Sequence, residues 1–200
     1  DGSLVSFSKG IENQIPTGLD NNVINVFSNY FSFAALKSDG SIITWGNNDT
    51  SNGGTGADSS LVSSELKSGV KEVVSTWASF AALKNNGSVV AWGDNRYGGD
   101  TSSVQSQLTS GVIKLFSNMS AFAALKEDGS VLTWGSISGG SSPNSLLSSD
   151  VIDIVSTRNS FAAIKNDGSV ITWSSMGSYN SFSEKPIKEV FANASAFAFL

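Results

Sequence analysis

The 200-residue sequence contains no cysteine and no histidine. Without cysteine there are no disulfides, no thiolate metal sites and no Cys nucleophiles, and sulfur says nothing about compartment. Without histidine the commonest general base, the commonest zinc ligand and every Ser-His-Asp triad are excluded. Charge is sparse, at 14% Asp, Glu, Lys and Arg, and its balance is acidic, net −5 at pH 7. An acidic body repels phosphate backbones, so nucleic acid is not an expected partner. No apolar run approaches the roughly 18 residues that span a bilayer, so membrane insertion is not expected either. No helix of useful length is evident, and no phosphate-binding glycine motif opens one. Acidic residues are scattered, and Asp39, Asp128 and Asp167 stand at turns, so the two placed carboxylates of a glycosidase are not evident. The sequence therefore reads as non-enzymatic, with no catalytic residues, cofactor or metal. It opens on Asp1 without a signal-peptide pattern, as a mature product or a piece of something longer would.

What is present is a globular composition, 40% hydrophobic and rich in Gly, Ser and Asn, long enough for a sizeable core. It is organised by repetition. Phe33-Ala34-Ala35-Leu36-Lys37 recurs at 80–84, at 122–126 and, with Ile164 for Leu, at 161–165. A decayed copy, Phe197-Ala198-Phe199-Leu200, ends the chain. Twelve residues after each complete copy's Phe stands Trp45, Trp92, Trp134 or Trp173, and ten residues before each Phe stands Val23, Val70, Val112, Val151 or Ile187. The interval between successive Phe residues shrinks from 47 through 42 and 39 to 36, and all of the variation falls after the Trp. A fixed unit followed by a variable connection is the pattern of a structural repeat with surface loops.

Within the unit the signals are those of strands. In the second copy Val70 to Ser75 is rich in β-branched residues, Ser79 to Lys84 is short and mostly apolar, and Ser88 to Trp92 follows Asn86-Gly87. That dipeptide predicts a two-residue type I′ turn, repeated at Asp39-Gly40, Asp128-Gly129 and Asp167-Gly168. Each unit thus has about three antiparallel strands. One such sheet cannot bury both faces, whereas copies stacked about an axis can, and a period of about 40 residues suits a propeller. The paired alanines are expected on strands crowded near the axis. The predicted fold is all-β, a β-propeller of short three-stranded blades in a single domain over 1–200. Its blade units are 23–46, 70–93, 112–135, 151–174, and 187–200 completed by 1–8. Asp1-Gly2-Ser3-Leu4-Val5-Ser6-Phe7 matches the second half of a hairpin and 196–200 the first half. These halves are expected to pair and close five blades, unless the chain is an excerpt of a larger ring.

Residues 68–95, from Ser68-Gly69-Val70 through Ala82-Leu83-Lys84 to Val89-Val90-Ala91-Trp92-Gly93, resemble the repeat of the regulator-of-chromosome-condensation superfamily of propellers. The likeness is greater to its short-blade bacterial branch, that of the propeller-type β-lactamase inhibitory proteins, and it runs through nearly the whole chain. It implies three-stranded blades and protein partners held by aromatics in the turn between the first two strands, a motif that Trp77-Ala78-Ser79 matches. The chromatin branch carries a Gly-Gln-Leu-Gly loop, and here Tyr97-Gly98-Gly99-Asp100 stands in that stretch, which argues against nucleotide exchange. Trp-Asp dipeptides are absent, and the Gly-Gly pairs lie in loops, which argues against kelch blades.

Function is sought where the repeat varies. The turn between the first two strands reads Tyr30-Phe31, Trp77-Ala78, Met119-Ser120, Arg158-Asn159 and Ala194-Ser195. Rotation puts equivalent positions on one rim, and such residue types dominate interface energetics. Tyr30, Phe31, Trp77, Met119 and Arg158 are accordingly the candidate partner-binding residues, against the alternative that they only pack on neighbouring turns. The four repeated Trp residues are read as packing wedges between blades and not as a sugar- or base-stacking platform. Loop oxygens at Asn47, Asn48, Asp49, Asp94, Asn95 and Asp100 lack the alternating spacing of a calcium loop. Asn48, Asn86, Asn118 and Asn193 open glycosylation-type triplets, and in an Asn/Ser-rich chain most such matches are chance. A protein partner is expected. The alternative is a structural repeat of a large bacterial surface or extracellular assembly, with glycan binding or self-association through blade edges. An extracellular or cell-surface location is expected.

Overall fold

The computed structural model describes residues 16–19, 21–47, 55–136, 145–174, 178–182 and 186–200. The first blade is β1 (Val23–Ser28), β2 (Ser32–Lys37) and β3 (Ile42–Gly46). The second is β4 (Val70–Ser75), β5 (Ser79–Lys84) and β6 (Val89–Gly93). The third is β7 (Val112–Ser117), β8 (Ala121–Lys126) and β9 (Val131–Gly135). All three are antiparallel sheets ordered as the chain runs. The fourth, β10 (Val151–Ser156), β11 (Ser160–Lys165) and β12 (Val170–Ser174), departs from the three-stranded expectation, since β13 (Tyr179–Phe182) pairs with β12 as an exposed outer strand. The last unit has two strands among the described residues, β14 (Val190–Ala192) and β15 (Phe197–Phe199). The expected contribution of residues 1–8 to it lies outside the described residues.

Burial follows strand alternation. In each middle strand the side chains point alternately to the preceding and the following blade. Ala34 and Leu36 of β2 meet Phe80, Ala82 and Trp92 of the second blade. Ala81 and Leu83 meet Phe122, Ala124 and Trp134 of the third, and Ala123 and Leu125 meet Phe161, Ala163 and Trp173 of the fourth. Phe80 and Trp92, directly opposite across strands, stack at 5.4 Å, and the other three Phe–Trp pairs do the same at 5.2–5.3 Å. The Trp residues are buried, so they wedge blades apart and offer no platform.

Two local expectations are corrected. The alanine strand is not nearest the axis. The first strands are the ones that meet from blade to blade, with Ser75 Oγ donating to Ser28 O at 2.8 Å and Lys114 Nζ 2.9 Å from Asp153 Oδ1. The alanines are small because their strand is pressed on both faces. The hairpin turn is not type I′ either. Of Asn86 and Gly87 only Gly87 has positive φ, +77°, and its N–H donates to Lys84 O while Lys84 N–H donates to Ser88 O. That is a three-residue loop with a bulged glycine, which leaves the Asn in an ordinary conformation. Its Oδ1 accepts from Ser88 N at 3.0 Å and from Ser88 Oγ.

The connections are tied in as regularly as the strands. Leu19, Leu66, Leu108 and Leu147, each four residues before a blade's first Val, are buried to 3% exposure or less. The Lys that ends each middle strand reaches the carbonyl just before that Leu: Lys37 to Gly18, Lys84 to Glu65, Lys126 to Gln107 and Lys165 to Leu146, at 2.6–3.3 Å. Adjacent blades are also stitched through backbone, since Val70, Val112, Val151 and Ile187 donate to the turn glycines 40, 87, 129 and 168 of the blade before.

Candidate functional site

Four of the five turns between the first and second strands are built by their opening side chain, whereas in the second the Thr76 hydroxyl donates to Tyr97 O at 3.0 Å. Asn29 Oδ1 accepts from Phe31 N, Ser32 N and Ser32 Oγ at 2.8–2.9 Å. Asn118 Oδ1 accepts from Ser120 N and Ala121 N, and Asn193 Oδ1 from Ser195 N and Ala196 N. Thr157 Oγ1 accepts from Asn159 N and Ser160 N. A main-chain bond closes every turn, from residue 29, 76, 118, 157 or 193 to the carbonyl three residues on. Asn and Thr serve here because a short polar side chain can reach its own backbone two and three residues ahead. The next residue is then free of any duty to the turn, which is why it varies.

Those next residues are Tyr30, Trp77, Met119, Arg158 and Ala194, and the structure brings them into one row. Tyr30 N–H donates to Trp77 O, Trp77 N–H to Met119 O, Met119 N–H to Arg158 O and Arg158 N–H to Ala194 O, at 2.8–3.2 Å. One hydrogen bond per blade holds them at about strand spacing, ~4.8 Å. Neighbouring side chains meet at two places along the row. The Tyr30 and Trp77 rings stack with centroids 4.2 Å apart and planes at 12°. Phe31 meets both edge-on, at 5.0 and 6.1 Å. Arg158 Nε donates to Met119 Sδ.

The candidates are not equally open. Tyr30 is 69% exposed and Arg158 is exposed, whereas Phe31, Trp77 and Met119 are half-buried. Ala78, the other variable residue beside Trp77, is fully buried. Between the first three turns lies an open hollow of about 430 Å³, walled by Tyr30, Trp77 and Met119 over the polar groups of Ser75, Thr76 and Asn118. Arg158 carries the row's formal charge. The arrangement offers an apolar, aromatic surface at one end, a cation at the other, and hydrogen-bonding groups beneath.

The sequence reading missed the capping Asn and Thr residues. Their signal was the repeated Ser-Asn, Ser-Thr or Ala-Asn just ahead of each variable position. Of the glycosylation-type triplets, Asn118 is buried, and Asn86 and Asn193 each cap a turn with Oδ1. The triplet at Asn48 lies outside the described residues.

Comparison with known proteins follows the same lines. Residues 70–98 match the model of the regulator of chromosome condensation (RCC1) repeat. No curated protein sequence matches the chain. Among solved structures, human WBSCR16 superposes with a TM-score of 0.56 at 18% identity, over 100% of this chain and 64% of that one. Prp20p of Saccharomyces cerevisiae, described with its binding to Gsp1p and histones, gives 0.57 at 18% identity, over 89% of this chain and 55% of that one. Yeast RCC1 (Prp20) bound to Kap60 gives 0.57 at 18%, over 86% and 52%. The likeness is one of fold, and this chain spans between half and two thirds of the length of those propellers.

Proposed function

We propose that this chain, an RCC1-like β-propeller, binds another protein through the row of turn residues Tyr30, Phe31, Trp77, Met119 and Arg158. The observation that carries the reading is the Tyr30–Trp77 stack, with Tyr30 exposed and Trp77 half-buried, set in a frame whose other positions repeat. Packing alone does not require an aromatic there, because Ala194 fills the equivalent position and accepts the same backbone bond. Aromatic, Met and Arg side chains are the types enriched where proteins meet. The yeast propeller of similar fold is described with protein partners, which supports the same class here. A partner suited to this row presents an apolar or aromatic group to Tyr30 and Trp77 and a carboxylate to Arg158.

The test is a pull-down with the chain as bait. Tyr30→Ala combined with Trp77→Ala is expected to remove the captured protein, losing about 2 kcal/mol or more, roughly thirtyfold in affinity. Circular dichroism and thermal unfolding should stay those of the wild type. Asn85→Ala, on the exposed turn at the opposite end of the strands, should capture as before. Capture unchanged by the double substitution overturns the reading.

A further inference from the structure

At the end of the strands away from the row of turn residues, the first strand of each of the four larger blades carries a bulge. In the third blade Val112 pairs with Lys126 and Lys114 with Leu125, which leaves Ile113 over, and in the fourth Ile152 is left over in the same way. A bulge re-aims its extra side chain out of the ladder. The four bulged stations read Ile24, Lys71, Ile113 and Ile152. Only on the third and fourth blades do two aliphatic side chains therefore stand on neighbours. They are 46% and 54% exposed, and both line an open hollow of about 380 Å³ between those blades. The rest of its wall is acidic, since Glu127, Asp128 and Asp150 line it too and all three are exposed. Glu127 stands where the other turns have Ser38, Asn85 and Asn166, and Asp150 where the second and third blades open with Gly69 and Gly111. Asp150 even keeps their left-handed backbone, with φ +67° against +77° and +76°, a conformation that suits glycine best. The same frame is thus built in neighbouring blades without these two carboxylates. Among the described residues the ion pairs join Arg96 to Asp94 and Lys114 to Asp153, and none of the three acids takes part in one. The one cation of the lining, Lys126, is turned to Gln107 O at 3.3 Å.

We propose that this hollow docks a peptide segment of another protein in which an aliphatic side chain is flanked by lysine or arginine. The aliphatic group covers Ile113 and Ile152, and the cations meet Glu127, Asp128 and Asp150. Charge complementarity selects this occupant, because an apolar floor ringed by unpaired carboxylates repels an acidic segment and leaves a neutral one unsteered. Both walls belong to blades described in full at this end. The surface lies at the opposite end of the strands from Tyr30 and Trp77, so it stands independently of binding at the row.

Amide NMR shifts of the isotope-labelled full chain, titrated with a capped Lys-Leu-Lys-Leu peptide, test this. The amides of Ile113, Glu127, Asp150 and Ile152 are expected to move together, with about millimolar affinity that falls as salt is added, while those of Tyr30 and Trp77 stay still. Lys-Gly-Lys-Gly and Glu-Leu-Glu-Leu peptides should each bind about tenfold more weakly or worse, since one lacks the apolar group and the other the charge. Ile152→Lys, and separately Glu127→Asn with Asp150→Gly, should weaken the Lys-Leu peptide about tenfold. Each substitution installs the residue that a neighbouring blade already carries at that station, so the spectrum should remain that of the folded chain. No shift at the four amides at about 10 mM peptide overturns the proposal. So does a Lys-Gly-Lys-Gly peptide that binds equally well, which would mark attraction to the acidic chain as a whole, or binding that survives both sets of substitutions.

Discussion

Asp39, Asp128 and Asp167 each accept the N–H of the serine two residues on at 2.9 Å, and the same serine's hydroxyl bonds the carboxylate. The side-chain bond and then the backbone bond hold all three carboxyls below the usual Asp value. A carboxyl whose pKa is lower folded than unfolded adds stability above the unfolded value, and that stability is lost as pH falls through the folded one. Glu72 has the opposite sense. Burial raises its pKa, opposed by the Leu115 N–H and Lys114, so it favours the fold at low pH and loses that contribution as pH rises. The fourth turn supplies the control, because neutral Asn86 makes the same two bonds without a titrating group. Replacing Asp39, Asp128 and Asp167 together by Asn is therefore expected to leave unfolding near neutral pH almost unchanged. It should flatten the fall in stability on going to about pH 3, measured by urea titration across the range. A fall as steep as in the wild type assigns acid sensitivity to other groups.

A middle strand is stabilised by the blades on either side of it more than by its own sequence. Phe33 and Phe122 occupy the same register, each stacked on its Trp, yet Phe122 is fully buried and Phe33 is 39% exposed. Phe122→Ala empties a closed site and should cost about 3–5 kcal/mol, whereas Phe33→Ala should cost about half of that or less. Chemical denaturation of the two variants reads the difference directly, and equal losses would mean that Phe33 is as enclosed in solution as Phe122. The strands themselves were legible, because Phe-Ala-Ala-Leu-Lys and the Trp twelve residues on impose a period that the chain repeats. The reasons for that period were less so. The Lys holds a loop carbonyl nineteen residues back, a partner that the repeat itself does not reveal. The Leu four residues before each Val sat in connections of changing length, where no period stood out. At the candidate site, variation between fixed flanks pointed to Tyr30, Trp77, Met119 and Arg158. Their mutual bonds were hidden because they use peptide groups, which every residue type carries alike.

Across the whole molecule each blade packs on its immediate neighbours, and such arrays open from their ends more readily than from their middle. The second and third blades are enclosed on both sides, while the last unit leaves Phe191 54% and Leu200 70% exposed. Amide exchange is therefore expected to be slowest at Ala81, Ala82, Ala123 and Ala124 and fastest through 190–200. Uniform protection along the chain would instead mark a single cooperative unit. The blade-to-blade bonds at the rim have one further result. They engage only main-chain atoms, and Tyr, Trp, Met, Arg and Ala all make them equally well. The scaffold is therefore indifferent to what is written at these five stations. Selection can respell the surface one letter at a time, and each respelling leaves the architecture that displays it untouched.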